Sequence, residues 1–304
     1  MFKNLQPTPV PFQWGPAAFA VVWIGFSIAL WYSNRDSWIG GTRTVVPLYT
    51  AGTLLYMVIL TRSLKIKLRD LSRETWVVVG SALVLFALFW HFGRRGSYPF
   101  PTQNTPRRVL DLYTFAYFSG CSVLLRLLVP LFIGTKVLGK KPEDYGYRLK
   151  GTLRFTWVYA LAFLLAVPMV WIAAQSPAFI TKYPLCRGSI IDGSLPLQSF
   201  LIYQVTYALI FVSGESFWRG YILFGAGRQL GRNAFMIMLF PYVICHFGKP
   251  AAETIGAIGA GLFLGFLAWE HRSFWLGVAL HWGVAILMDV FALINRGTKV
   301  VWGG

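Results

Sequence analysis

Acid is scarce in this chain. Of 304 residues only 11 are Asp or Glu, and charged residues of both signs make up 13%, about half the share usual in a soluble domain. That excludes an ordinary water-soluble globular protein, and no stretch is polar and long enough for a separate soluble domain. Cysteine is nearly absent too. Cys121, Cys186 and Cys245 form no Cys-x-x-Cys pair and no even set, so neither a disulfide framework nor a zinc ribbon is expected. Only four histidines occur, without a His-Glu-x-x-His motif. Internal repeats and low-complexity tracts are missing, which removes repeat architectures and weighs against transporters built from inverted repeats of broken helices.

What the chain does have is apolar length. Hydrophobic residues make up 56% of it and aromatics 17%, gathered in blocks near 16–32, 45–60, 76–92, 109–135, 153–174, 199–226, 233–247, 254–270 and 274–294. A bilayer core takes about 20 helical residues to cross. The expected fold class is therefore all-α, a polytopic transmembrane helical bundle of about eight or nine spans. Residues 1–15 hold one Lys and three Pro, so the first block is expected to be a retained span rather than a cleaved leader. The many Trp residues near block ends read as an interfacial aromatic belt.

The net charge of +17 does not point to nucleic acid, because its cations lie between the apolar blocks. Loop 61–75 carries Arg62, Lys65, Lys67, Arg69 and Arg73, and loop 136–152 carries Lys136, Lys140, Lys141, Arg148 and Lys150. Cytoplasmic loops are enriched in this way and are attracted to anionic lipids. Alternation puts 61–75, 136–152, 227–233 and 271–273 on one side and the Arg-rich loop 93–108 on the other. The expected setting is a multi-pass protein of a bacterial cytoplasmic membrane, with the lipid bilayer as a partner and no nucleic acid.

Ionisable groups within apolar helices cost about 2.5–3.5 kcal/mol each on insertion scales, so each calls for a reason. Asp111 and Arg126 are expected near a helix end or beside a neighbour. The last third concentrates the rest. Glu215 and Arg219 stand four apart, on one helical face. His246 follows the next apolar run, with Lys249 and Glu253 close behind, and His281 and Asp289 share a later block. At about 1.5 Å per residue from the proposed cytoplasmic ends, Glu215, His246 and His281 lie roughly 20, 21 and 13 Å deep, and Asp289 roughly 25 Å. Such depths allow one intramembrane site. Between them, Gly261-x-x-x-Gly265 marks a face suited to close helix packing.

These three segments resemble the CAAX protease and bacteriocin-processing family of intramembrane endopeptidases, whose members show Glu-Glu-x-x-x-Arg, Phe-x-x-x-His and His-x-x-x-Asn/Asp on successive helices. Here Glu215-x-x-x-Arg219-Gly220 fits the second Glu, the Arg and the following Gly. Tyr242-x-x-x-His246 fits the second motif, and His281 opens the third. Gly214 replaces the first Glu and Ala285 the Asn or Asp, making this a divergent, single-Glu form. The resemblance implies that 151–304 form a protease-like core, with 1–150 supplying spans of unassigned role. It also implies that Glu215 and His246 activate water, that His281 stabilises the oxyanion and that Arg219 holds Glu215, with Asp289 orienting His281. The substrate would be a peptide or membrane-anchored protein, and no cofactor is expected. Zinc on His246, His281 and Glu215 is the minority alternative. The rival functions are a non-catalytic scaffold of the same fold and a proton-coupled transporter.

Overall fold

The computed structural model describes residues 10–33 and 42–302. The start of the chain, where the sequence suggested no cleaved leader, is described only from residue 10. Helix dominates, at 79%. The elements are α1 (Trp14–Ser33), α2 (Thr42–Ser63), α3 (Arg73–Phe92), α4 (Arg107–Val137), α5 (Thr156–Ala173), the short α6 (Pro177–Lys182), α7 (197–230), α8 (Ala234–Ile244), α9 (Ala251–His271) and α10 (Trp275–Arg296). Strands β1 (Ser194–Pro196) and β2 (Lys299–Val301) pair in parallel. The protein is an integral, multi-pass membrane protein built as a helical bundle.

Among the described residues, eight apolar helical stretches are long enough to cross a bilayer. One of them, Leu197–Ile244, is 48 residues long, roughly 70 Å at the helical rise and twice a bilayer core. Gly231 resolves the excess. Its φ of 56° lies where a side chain is strained, and the chain reverses there, so α8 runs back beside α7. Expectation and structure agree on the crossings.

Local chemistry fixes the other ends. Ser72 caps α3 by accepting a hydrogen bond from the Thr75 backbone N–H, and Ser176 does the same for α6 through Phe179. Gly297, at φ 65°, closes α10. On α5, Leu164, Leu165, Met169 and Ile172 are exposed, as a lipid-facing helix requires.

The loops that alternation assigned to one side do meet at one end. Glu74 accepts from Arg228 at 2.7 Å and pairs with Lys140 at 3.4 Å. Gln229 accepts from the Ser72 backbone N–H, and Arg232 pairs with Glu270. The opposite end gathers the loop after α3, the 182–188 loop and the turn before α9. There Arg95 pairs with Asp111 and donates to the Leu185 carbonyl. Lys182 donates to the Gly248 carbonyl, and Tyr32 to that of Lys249.

Helices from the two halves of the chain interlock. Ser122 and Ser213 hydroxyls lie 2.6 Å apart between α4 and α7, and Ser119 donates to the Thr206 carbonyl. Both α4 and α7 contain stretches of wider, π-helical turns, over Leu124–Leu128 and Ile133–Val137 in the first and Ser216–Phe224 in the second. Such turns recur at functional sites. Here one follows Glu215 directly and the other surrounds Arg126.

Candidate active site

Glu215 is fully buried in α7. Its Oε1 accepts two hydrogen bonds of 2.8 Å, from Nη1 of Arg219 and from Nδ1 of His281 on α10. The spacing of four that links Glu215 to Arg219 was legible in the sequence. The bond to His281 was not, because it joins helices 66 positions apart. Arg219 is equally buried. Its guanidinium lies 4.1 Å over the Tyr242 ring and reaches the Gly261 carbonyl at 3.5 Å, so desolvation of the charge is offset by a carboxylate, a carbonyl and a π face.

Gly261 explains how α9 comes so close. A Cβ there would lie 2.6 Å from Leu239 and 2.7 Å from Tyr242, and one at Gly265 would lie 2.8 Å from Met238. The small-residue spacing is a real packing face against α8.

His246 lies in the turn after α8. Its Nδ1 meets the Tyr242 carbonyl at 2.8 Å, which fixes Nδ1 as the protonated nitrogen and leaves Nε2 with its lone pair. Its own carbonyl accepts from the Thr254 hydroxyl. The His246 and His281 rings are parallel within 4°, with centroids 6.4 Å apart. Each has Nδ1 engaged by protein and, among the described residues, no partner at Nε2. The two imidazoles and Glu215 are therefore together, from three different elements.

Asp289 is elsewhere. Its Oδ2 accepts from the Tyr203 hydroxyl at 2.8 Å and from the Gln204 amide at 2.9 Å, and Gln204 in turn accepts from Trp282. Eight residues of helix separate it from His281, about 12 Å along the axis. The expectation that Asp289 orients His281 gives way to Glu215, which occupies Nδ1. Ala285 is buried in an apolar cluster with Phe115 and Tyr203 and supplies no polar group.

The alternative zinc set is His246, His281 and Glu215, and their mutual contacts run through Nδ1 of His281 and Oε1 of Glu215. Among the described residues no group of three His, Cys, Asp or Glu is placed to hold a metal ion, and Oε1 of Glu215 is already shared between Arg219 and the Nδ1 face of His281.

A cavity of about 890 Å³ runs from the loops after α3 and α6 inward to His246, His281, Trp218 and Arg126. Glu215 is not among its lining residues; the carboxylate stands behind His281. Trp218 fills the space beside Gly214, where a Cβ would meet its ring at 2.6 Å. The first Glu of the family motif thus has no room in this packing.

At the mouth, Lys249 pairs with Glu253 at 2.7 Å, and Tyr183 donates to both Glu253 oxygens. Burial, reinforced by Lys249 and Arg187, pushes the Lys182 ammonium down to about 8. Burial likewise lowers Arg94, which lies 4.1 Å over Trp90. Sequence reasoning placed none of Trp218, Arg126, Arg94 and Lys182 at the site. The intramembrane charge of Arg126 was the one available signal.

No curated protein and no solved structure matches the chain. Residues 196–287, which contain Glu215, Arg219, His246 and His281, match the family model described as type II CAAX prenyl endopeptidase Rce1-like, and that match supports a CAAX intramembrane protease-type function at the level of the family.

Proposed function

We propose that the chain is an intramembrane endopeptidase that cleaves a peptide or a membrane-anchored protein with water activated at the two histidines. The observation that carries the reading is the Glu215–His281 hydrogen bond, with His246 parallel to His281 at the inner end of the cavity. Glu215 acts through His281. Its carboxylate holds Nδ1–H, so Nε2 of His281 takes the proton from water as oxygen attacks the scissile carbonyl. His246, tied through Nδ1 to Tyr242, presents Nε2 as a second acceptor that orients the same water. The imidazolium formed on His281 is stabilised by Glu215 and lies beside the developing oxyanion. It then returns its proton to the leaving amine. Arg219 holds Glu215 in place. Asp289 has no step here and braces α7 against α10.

This assignment moves Glu215 from direct contact with water to a place behind an imidazole, the role a buried carboxylate plays in other hydrolytic triads. No metal ion is invoked, so dialysis against a chelator should leave cleavage unchanged; loss restored by zinc would contradict the reading. The basic loops further suggest residence in the cytoplasmic membrane of a bacterium, which membrane fractionation of a tagged chain tests.

Purified protein in detergent, incubated with a proteome-derived peptide library, tests the reaction. Cleavage should appear with wild type and vanish in His281→Ala. Cleavage that survives Glu215→Gln and His246→Ala together would end this mechanism. A second reading, a non-catalytic scaffold of the same fold, draws on one observation: Trp218 occupies the space of the missing Glu. An intact library after prolonged incubation would favour it.

A further inference from the structure

Arg126 presents a charge that the proposed mechanism does not use. It lies on α4, 97% buried by its 3% residual exposure, in the membrane-spanning part of the bundle, and it lines the inner cavity together with Trp218, His246 and His281. Its Nε donates to the Ser122 hydroxyl at 2.9 Å, and Nη2 donates to the same hydroxyl and to the Ile210 carbonyl at 3.3 Å. The guanidinium is flanked by Phe89 at 4.5 Å and Trp218 at 5.1 Å. Among the described residues no carboxylate lies within ion-pair distance of it, whereas Arg219, equally deep, has Glu215. A buried guanidinium with neutral partners only is expensive, and its planar fork is shaped to take a carboxylate.

The neighbouring helix shows why the protein supplies none. Gly214 lies next to Ser213, whose hydroxyl meets Ser122, and Trp218 covers the space a side chain at 214 would need. The approach is also cationic. Arg94, Arg107, Lys182 and Arg187 line the cavity without an acidic partner among the described residues, while Asp111 and Glu253 are spent on Arg95 and Lys249. Such a funnel draws anions inward.

We propose that the inner end of the cavity is a carboxylate-binding subsite centred on Arg126, which selects peptides carrying a carboxylate close to the bond presented to His246 and His281. The carboxylate is either a chain terminus or an Asp or Glu side chain. The proposal rests on the endopeptidase reading for its substrate class, but binding alone tests it.

Two matched pairs of fluorescent peptides serve as probes with full-length protein in lipid nanodiscs: free acid against amide at the C-terminus, and internal Asp against Asn. One acid member should bind about tenfold or more tightly than its neutral twin, the scale of a lost charge-assisted bond, and the pair that responds identifies the source of the carboxylate. Arg126→Gln should abolish the preference and Arg126→Lys retain part of it. The mouth variant Arg94→Gln/Lys182→Gln should slow association of the acid members but keep a preference for them. Equal affinities within both pairs on wild type overturn the subsite without needing any variant to fold. A preference kept in a stably folded Arg126→Gln, or lost in the mouth variant instead, overturns the assignment to Arg126. Carboxylate preference without cleavage of any peptide supports the subsite and counts against the endopeptidase.

Discussion

Glu215 and His281, on helices α7 and α10, are joined by a 2.8 Å hydrogen bond from Nδ1 to Oε1, while Arg219 holds the same oxygen from the side of α7. The arrangement assigns the carboxylate a fixed partner and leaves the imidazole's other nitrogen for chemistry.

Glu215→Gln keeps an oxygen acceptor for His281 but removes the charge that stabilises its protonated form. Turnover should fall by about two to four orders of magnitude, in the range of general-base effects, with peptide KM little changed. Steady-state kinetics separate the two; a rise in KM with unchanged kcat would mean Glu215 contributes only to binding.

Gly214→Glu, which restores the family's first carboxylate on paper, should lower the melting temperature, because its Cβ meets the Trp218 ring at 2.6 Å. Overpacking of this kind costs about 1–3 kcal/mol. Adding Trp218→Ala should recover part of the loss. Thermal melts of the single and double variants show whether the two positions compete for one space.

Gly261→Val should separate α9 from α8, since Leu239 and Tyr242 already stand within 2.7 Å of a Cβ at this site. The bond from Arg219 to the Gly261 carbonyl would lengthen with it. Stability should drop by about 1–3 kcal/mol, whereas Gly259→Ala, with open space around its Cβ, should change it by less than about 1 kcal/mol. Equal melts for both would contradict the packing role.

Lys182 gives a pH signature. Its ammonium titrates at about 8 in the folded protein, against an ordinary value of 10.5. Between those two values the unfolded chain binds the proton and the folded one does not, so stability rises with pH across that window. Below about 8 both states are protonated and the penalty is fully present. Lys182→Met should flatten this rise in melts taken between pH 7 and 10; an unchanged slope would assign it to another group.

How far the sequence could be read is plain from particular residues. The spans followed from length and hydropathy, and Glu215–Arg219 from a spacing of four, because local geometry determines both. The Gly261 face was legible for the same reason. Which acid would meet His281 was not. Asp289 shares a helix with it and so looked near, yet eight residues of rise carry it away, to Tyr203 and Gln204. The true partner lies across a helix interface, and interfaces are set by packing that no periodicity encodes. Arg126 in the cavity escaped for the same reason, with its Ile210 partner 84 positions away; Trp218 is only four residues from Gly214, but that spacing does not say which way its ring turns.

The placement of Glu215 behind His281 also decides what a reagent entering from the loop end would find. Imidazole-directed electrophiles would meet exposed nitrogen first, and carbodiimides would meet none of this acid until the bundle came apart. Chemical inactivation should therefore follow the order of the layers, with the histidines silenced while the carboxylate they depend on stays unmodified.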